Sequence, residues 1–275
     1  GARRWTLSWQ TFAPARRRVR LGVKAFAWGF APFIALIVVW YCAFAAHMVS
    51  RVWLPSPLAT WNALWATITS GELIRDTKAS LGRLILGYSI SALMGIALGL
   101  VVGIKRGLAD FVQPLINFLN GLSGLAWIPL AILWFGIGNP AVTFVVWNSV
   151  FFLVLYNTIT GVQSVPRVYE SAMLTMGGGR WRLVRDVLIP GSLPNIVTGL
   201  RLGMGFGWRA LIAAEIFAAS NGLGHLIYIS SYYLQTPRIL AGLAVIGTIW
   251  LATDRVIFVP LERWTVARWG MVTPR

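Results

Sequence analysis

Cysteine and histidine are almost absent from this sequence of 275 residues. The single cysteine, Cys42, cannot form an internal disulfide or a cysteine-based metal site. The two histidines, His47 and His225, lie too far apart to form the His-Glu-x-x-His pair of a zinc protease. These absences argue against a disulfide framework and against a metalloenzyme.

Charge is also scarce, because charged residues make up 12% of the chain and hydrophobic residues 57%. A soluble domain carries about 25% charged residues, so the lipid bilayer is the expected solvent. Lysine and arginine outnumber aspartate and glutamate by 24 to 8. These bases are scattered between apolar runs rather than gathered in one patch, which fits membrane topology better than nucleic-acid binding.

Two short motifs of enzymes are missing. The chain has no G-x-x-x-x-G-K-[ST] phosphate loop, so we do not expect it to bind ATP by that device. We expect this chain to bind no cofactor of its own. It has no G-x-S-x-G nucleophile motif either, which argues against a membrane-bound serine hydrolase. A catalytic role is therefore not expected.

Long apolar runs are what the sequence does contain, and they predict about six transmembrane helices in an all-α membrane protein. The first run also resembles a signal peptide, but its length and the runs that follow favour a retained helix. Prolines and glycines interrupt the third run, which predicts a bent or split span. The six runs are residues 25–46, 81–104, 111–135, 141–159, 193–219 and 239–260.

Basic residues between the runs predict the orientation. They occur before the first run, between the second and third, between the fourth and fifth, and after the sixth, so these four segments share one side. The positive-inside rule makes that side cytoplasmic. The sequence thus divides into a basic cytoplasmic segment (1–24), a transmembrane domain (25–260) and a cytoplasmic tail (261–275). The exception is segment 49–80, which has basic residues on the opposite side.

Small residues recur every fourth position on two of the predicted spans. Such ridges let a second helix approach closely. Packing within one chain is the favoured interpretation, and a contact between subunits is the alternative. The first ridge is Gly87, Ser91, Gly95, Gly99 and Gly103, and the second is Gly199, Gly203 and Gly207.

A polar segment, residues 165–190, interrupts the apolar pattern between the fourth and fifth runs. It predicts a short helix, a stop at Gly177, Gly178 and Gly179, and a second helix from Arg180. Pro190 and Pro194 are expected to break the chain again before the fifth span. An amphipathic helix lying on anionic lipid is the alternative.

This segment resembles the signature of permease subunits of ATP-binding-cassette importers, which reads Glu-Ala-Ala, three residues, Gly, nine residues, Ile-x-Leu-Pro. Gly177 is followed after nine residues by Val187, Leu188, Ile189 and Pro190, and Ala172 matches the first alanine. Ser171 stands at the glutamate position, with Glu170 one residue before it. Further stretches are similar to the branch that imports nitrate, taurine and aliphatic sulfonates: LPSP, SGELIRDTKASLGR, WIPLAILWFGIG, LPNIVTGLRLGMGFGWRALIAAE and GLG.

The resemblance implies a type I importer fold in a bacterial inner membrane. It implies two permease copies, as a homodimer, around the path of a small anion. It also implies an extracytoplasmic binding protein and two cytoplasmic ATPases that hold ATP and magnesium. The polar segment would be the coupling helix, which docks on the ATPase through Glu170, Ser171, Ala172, Gly177, Gly178, Arg180 and Pro190.

Ionisable and aromatic residues within the spans are candidates for lining that path. For Arg209 and Arg201, structural pairing with Glu215 or Asp254 is the favoured interpretation, and attraction of an anionic substrate is the functional hypothesis. Glu215, Trp208, Asn148 and Trp127 complete the candidate set. A secondary transporter or channel that works without an ATPase is the alternative function, because broken helices and intramembrane charges suit it too.

Overall fold

The computed structural model describes residues 23–47, 50, 52–262 and 265, and it gives side chains from residue 31 onward. The chain divides into two compact units, Gly1–Val49 and Ser50–Arg275. The first contains helix α1 (Val23–Ala45), which coincides with the first predicted span. The arginines on which the predicted orientation of the two termini rests lie outside the described residues.

The second unit is helical in most of its described residues, and no strand occurs among them, which confirms the all-α prediction. A 3-10 turn (Gly124–Trp127) precedes α5, and π-helical turns (Val184–Leu188 and Asp254–Phe258) join α8 to α9 and α11 to α12. The helices are α2 (Pro57–Thr69), α3 (Glu72–Ile104), α4 (Arg106–Gly121), α5 (Ile128–Phe135), α6 (Asn139–Gln163), α7 (Arg167–Thr175), α8 (Arg180–Leu183), α9 (Ile189–Ala218), α10 (Leu223–Tyr232), α11 (Thr236–Thr253) and α12 (Val259–Glu262).

Three described helices are long and apolar enough to cross a membrane: Glu72–Ile104, Asn139–Gln163 and Thr236–Glu262. The number rises to five if each of two bent helix pairs counts as one span. In the separate first unit, the apolar part of α1 with described side chains is Ala31–Ala45. Each of the six predicted runs therefore corresponds to a helix or a bent helix pair.

The third predicted span is split, as its prolines and glycines indicated. α4 ends at Gly121, and the chain bends by 84° between α4 and the helical segment that starts at Gly124. Ser123 begins that segment, because its hydroxyl accepts a hydrogen bond of 3.3 Å from the backbone N–H of Leu125. The bend places irregular backbone beside α6, where a recess opens.

The predicted break at Pro190 and Pro194 is wrong, because one continuous helix runs from Arg180 to Ala218. The backbone N–H of Ile189 bonds to the carbonyl of Val184, five residues earlier, so the helix is widened immediately before Pro190. A proline ring clashes with the preceding turn of a regular α-helix. The wider π turn relieves that clash, and the helix continues.

Helix α2 was not predicted, because segment 49–80 lacks an apolar run of membrane-spanning length. Its start nevertheless has a local signal. The side chain of Ser56 accepts a hydrogen bond of 3.1 Å from the N–H of Ala59, and Pro57 occupies the first helical turn. Serine at the cap followed by proline is a favoured helix start.

Helix α6 forms the centre of the core between α3 and α9. Its buried valines include Val146, Val150 and Val154, which are completely inaccessible to solvent. A Cβ atom added to Gly99 of α3 would lie 2.5 Å from Thr158 Cβ, and one added to Gly207 of α9 would lie 2.7 Å from a methyl group of Val150. Both small-residue ridges therefore pack on α6, which confirms packing within one chain.

Candidate functional site

Glu215, a predicted path residue, is completely buried and paired with Arg83 of α3. The distance between Arg83 Nη1 and Glu215 Oε1 is 2.6 Å. The hydroxyl of Ser80 donates to both carboxylate oxygens at 2.8 and 2.9 Å, and the N–H of Gly224 donates at 2.9 Å. The carboxylate is thus fully occupied by contacts within the chain, as a buried charge requires.

The guanidinium of Arg83 extends this network to two further segments. Its Nε donates to the side-chain oxygen of Asn139 at 2.7 Å, and Nη1 donates to the carbonyl of Asn221 at 2.9 Å. Nη2 donates to the side-chain oxygen of Asn221. One ion pair therefore joins α3, the first residue of α6, the end of α9 and the turn before α10.

Arg201 forms a structural ion pair with Asp254, which is the interpretation that the sequence favoured. Its Nε and Nη2 donate to the two carboxylate oxygens of Asp254 at 2.8 and 3.0 Å, and Nη1 lies 3.0 Å from Glu262 Oε2. Asp254 is the first residue of the π-helical turn after α11. This bidentate contact ties α9 to α11 and α12.

The two candidate tryptophans lie in packed environments. Trp208 is buried in the main core, where its indole nitrogen has no hydrogen-bond partner among the described residues. Trp127 belongs to an aromatic cluster in which its ring centroid lies 6.4 Å from those of Trp134 and Phe144. Neither residue lines the recess at the bend.

That recess is a cleft of about 570 Å³ between the α4–α5 bend, α6 and α9, and it brings Arg209 and Asn148 together. Asn148, Phe152 and Tyr156 recur at every fourth position of α6, so they share one side of that helix. Apolar side chains form most of the remaining wall. The full lining is Leu119, Asn120, Gly121, Leu122, Ser123, Gly124, Leu125, Asn148, Ser149, Phe152, Leu153, Tyr156, Phe206, Arg209 and Ala210.

Arg209 makes no ion pair within the described part of the chain, in contrast to Arg83 and Arg201. Its guanidinium carbon lies 5.7 Å from the centre of the Phe206 ring, and the side chain is exposed to the cleft. The amide of Asn148 has no side-chain hydrogen bond among the described residues either, although only 7% of the residue is accessible. The cleft therefore contains hydrogen-bond donors that the fold leaves unused.

A second candidate surface lies on α7, on the turn after it and at the start of α8. We call it the α7 surface and define it by its exposed apolar residues: Val168, Tyr169, Leu174, Met176 and Trp181. Met176 is 85% accessible and Trp181 is 74% accessible. Large apolar side chains that cluster in this way mark a place of contact with another molecule or a membrane.

The end of α7 is built as the sequence predicted. Gly177 has a φ of +78°, which a side chain would disfavour. Its N–H bonds to the carbonyl of Leu174 at 3.0 Å, and the N–H of Gly178 bonds to the carbonyl of Met173 at 2.9 Å. This pair of bonds is the Schellman arrangement that stops a helix. A new helix then begins at Arg180.

The other predicted docking residues surround α7. Ala172 and Pro190 line a groove of about 840 Å³ beside it, together with Tyr169 and Met176. Glu170 is half-buried in a separate recess, which it shares with Arg180 and with Lys105 and Arg106 from the start of α4. Ser171, at the glutamate position of the signature, is exposed. Ala172 and Glu170 thus line different recesses.

The network also contains four residues for which the sequence predicted no role: Ser80, Arg83, Asn139 and Asn221. Ser80 and Arg83 are three residues apart, so they share one face of α3. Arg83 also lies inside a predicted span, and such a charge calls for a partner of opposite sign. The sequence contained this signal, but it did not indicate which of the acidic residues was the partner.

Comparison with known proteins finds relatives over most of the chain. The family of binding-protein-dependent transport system inner membrane components matches residues 91–259. The taurine transport system permease protein TauC of Escherichia coli is 33% identical over 86% of this chain and 85% of its own length. The bicarbonate transport system permease protein CmpB of Synechococcus elongatus is 31% identical over 85% of this chain and 87% of its own length.

Among solved structures, a chain of the MetNI methionine ABC transporter in an inward-facing conformation has the same fold. It matches with a TM-score of 0.56 at 18% identity, over 69% of this chain and 95% of that chain.

Proposed function

Because the chain belongs to the family of binding-protein-dependent transport system inner membrane components, we propose that it forms the translocation path of an ATP-driven importer for a small anion. TauC and CmpB, whose names refer to taurine and bicarbonate, cover most of its length. Both substrates carry an anionic group. The unpaired guanidinium of Arg209 in a cleft between α6 and α9 suits a substrate of that charge.

The observation that carries the proposal is the α7 surface. A transporter driven by ATP needs a contact through which the motor moves the membrane part, and this chain lacks the phosphate loop of a motor. The α7 surface offers that contact, because its apolar side chains are exposed and the helix is held at a defined end by Gly177. We therefore assign α7 as the docking element for an ATPase subunit.

Charge on α7 favours a protein partner over a lipid surface. A helix that lies on anionic lipid is rich in lysine and arginine on its polar face. α7 has one base, Arg167, and one acid, Glu170, so it lacks the basic face of a helix that lies on anionic lipid.

The proposed assembly contains two copies of this chain as a homodimer, two ATPase subunits and one binding protein on the opposite side of the membrane. ATP and magnesium belong to the ATPases, and this chain binds no cofactor. We further propose that the ATPases lie in the bacterial cytoplasm, together with α7 and both termini. The basic residues Arg180, Arg182 and Arg185 next to α7 support this orientation.

In this arrangement the ATPase acts on the path through α6. When the ATPases close on ATP, they move α7, which follows α6 after three residues. α6 carries Asn148 and Tyr156 of the cleft, and it packs on α9, which carries Arg209. Movement of α7 therefore changes access to the cleft. The anion enters while the cleft faces the binding protein and leaves after hydrolysis.

The test is to co-express this chain with the ATPase and binding protein of the same organism. We expect the ATPase to co-purify with it, and we expect uptake of radiolabelled taurine, bicarbonate or hexanesulfonate into proteoliposomes to require ATP and the binding protein. A mutation of the ATPase phosphate-loop lysine serves as the control. Uptake that continues with this mutant would instead identify a secondary transporter or channel.

A further inference from the structure

A recess of about 490 Å³ lies where the start of α4 meets α7 and the helix that begins at Arg180. Its lining includes three bases, Lys105, Arg106 and Arg180, and one acid, Glu170. We call it the basic recess. None of its lining residues belongs to the cleft at the α4–α5 bend. Three bases against one acid leave the basic recess with an excess of two positive charges.

The three bases have no partner within the part of the chain that the structure describes. The five ion pairs found there include none of them and do not include Glu170 either. Asp110, one turn further along α4, lies beyond ion-pair distance of Arg106. By contrast, Arg83 and Arg201 are each paired with a carboxylate. The basic recess therefore holds cations that the fold leaves free for another anion.

The start of α4 makes this excess of positive charge more unfavourable. Lys105 is the N-cap of the helix and Arg106 is its first residue, and its first turn contains no acidic residue. The free N–H groups at a helix start carry a partial positive charge, so bases repel it and an anion stabilises it. No side chain caps this helix start. One anion in the basic recess would compensate the bases and the helix start together.

A phosphate group has the chemistry that these donors require. Arginine pairs with phosphate through two parallel hydrogen bonds, and lysine binds it as a point charge. The oxygens of one phosphate can therefore accept from both segments that contribute bases to the basic recess. Two apolar side chains beside the bases, Ile104 and Leu108, are 40% and 38% accessible. Exposed apolar surface next to a phosphate site suits the acyl chain of a phospholipid.

We propose that the basic recess binds a phosphate group, supplied by an anionic phospholipid or by free phosphate. Its oxygens accept from Lys105 and Arg106 on α4 and from Arg180 on the helix that follows α7. The bound group removes the repulsion among these bases and joins α4 to the segment that carries α7. The carboxylate of Glu170 opposes binding, because it lies in the same recess. This site goes beyond the proposed function, since neither an ATPase nor a transported anion takes part in it.

The test uses the purified full-length chain in detergent without an ATPase, so its outcome does not depend on the proposed function. In one arm, native mass spectrometry compares dioleoylphosphatidylglycerol with dioleoylphosphatidylcholine, which has the same tails and phosphodiester but also a cationic choline. We expect phosphatidylglycerol to bind more tightly by about fivefold or more, because each base near an anionic lipid contributes about fivefold in affinity.

The second arm identifies the source of the phosphate. Calorimetry measures the binding of inorganic phosphate to the same detergent-solubilised chain, with sodium chloride at equal ionic strength as the reference. A preference for phosphatidylglycerol without binding of inorganic phosphate assigns the site to a lipid. Binding of inorganic phosphate without a lipid preference assigns it to free phosphate.

Variants then assign the residues, with whichever probe binds the wild type. Lys105→Gln and Arg180→Gln should each weaken binding about fivefold, and the double variant about 25-fold. Arg182→Gln is the matched control, because it removes an exposed base two residues from Arg180 and outside the basic recess. Glu170→Gln should tighten binding about two- to fivefold, because it removes the repelling carboxylate. Misfolding cannot produce such a gain.

The inference is overturned if phosphatidylglycerol has no preference over phosphatidylcholine and inorganic phosphate does not bind either. It is also overturned if Arg182→Gln weakens binding as much as Arg180→Gln, since that result indicates diffuse attraction to a basic surface. Weaker binding by Glu170→Gln would contradict it as well. Monodisperse elution of each variant excludes misfolding. The proposed function is unaffected by these results, because ATPase co-purification and ATP-dependent uptake test it separately.

Discussion

Arg83 and Glu215 are 132 positions apart in the sequence, yet their charged groups lie 2.6 Å apart in the interior of the folded chain. Arg83 belongs to the first half of α3 and Glu215 to the last turn of α9. Their side chains are 6% and 0% accessible. The pair is therefore a buried contact between two helices that are distant in the sequence. We expect the stability of the fold to depend strongly on it.

Replacement of Glu215 by Gln should strongly destabilise the protein. The amide still accepts hydrogen bonds but leaves the Arg83 charge uncompensated, and breaking a buried ion pair in this way costs about 3–5 kcal/mol. A lower midpoint in thermal unfolding of the detergent-solubilised complex checks this. Glu72→Gln breaks the more exposed pair with Arg238 and should cost only about 0–1 kcal/mol. Equal effects of the two variants would contradict the structural role of Glu215.

Replacement of Gly99 by Val should push α3 away from α6. The added Cβ would lie 2.5 Å from Thr158 Cβ, and such overpacking costs about 1–3 kcal/mol. Gly82→Val on the same helix is the control, because no atom lies within 4 Å of the added Cβ. Thermal unfolding of both variants measures the difference. An unchanged midpoint for Gly99→Val would argue against close packing of the two helices.

Replacement of Ala172 by Arg should prevent the proposed ATPase from docking. Ala172 lines the groove beside α7, and a charge introduced into a desolvated interface weakens binding by about 2–5 kcal/mol, which is at least tenfold in affinity. The measurement is the amount of ATPase recovered with the affinity-purified permease. Asp110→Arg, at an exposed position of α4 outside that groove, should recover normal amounts. Full recovery with Ala172→Arg would refute the docking assignment.

A comparison of alanine substitutions at Gly177 and Gly179 tests whether the backbone conformation at Gly177 requires glycine, independently of steric contacts with neighbouring atoms. Neither has an atom within 4 Å of an added Cβ, but Gly177 has a φ of +78° and Gly179 has a φ of −74°. Gly177→Ala should therefore cost about 1–2 kcal/mol, whereas Gly179→Ala should be neutral or slightly stabilising. Thermal midpoints and ATP-dependent uptake of both variants test this. A neutral Gly177→Ala would mean that the turn after α7 tolerates other conformations.

The helices, the bend after α4 and the small-residue ridges could be predicted from the sequence, because each depends on residues that are close together along the chain. The apolar runs predict their helices, the interruptions around Gly121 predict the bend, and residues spaced by four predict the ridges that contact α6. The fold and the importer family followed from the ordered motifs, and the family match and the MetNI likeness confirm them. The stop at Gly177 also depends on local backbone chemistry and was predicted correctly.

Other features depend on contacts between distant segments. Pairing of Glu215 with Arg83 requires α3, α9 and the turn at Asn221 to meet, and no spacing in the sequence encodes that meeting. The same holds for Arg201 and Asp254, because the sequence could not decide whether Glu215 or Asp254 was the acidic partner of the arginine. The continuous helix through Pro190 depends on one widened turn, which residue propensities do not indicate.

Close contact on both sides of α6 has a mechanical consequence. Side chains of α6 lie directly against the backbones of Gly99 and Gly207, so α6 cannot slide along either neighbour without steric overlap. We therefore expect α3, α6 and α9 to move together as one unit, because separate movement of any one of them would overlap the close contacts at these glycines.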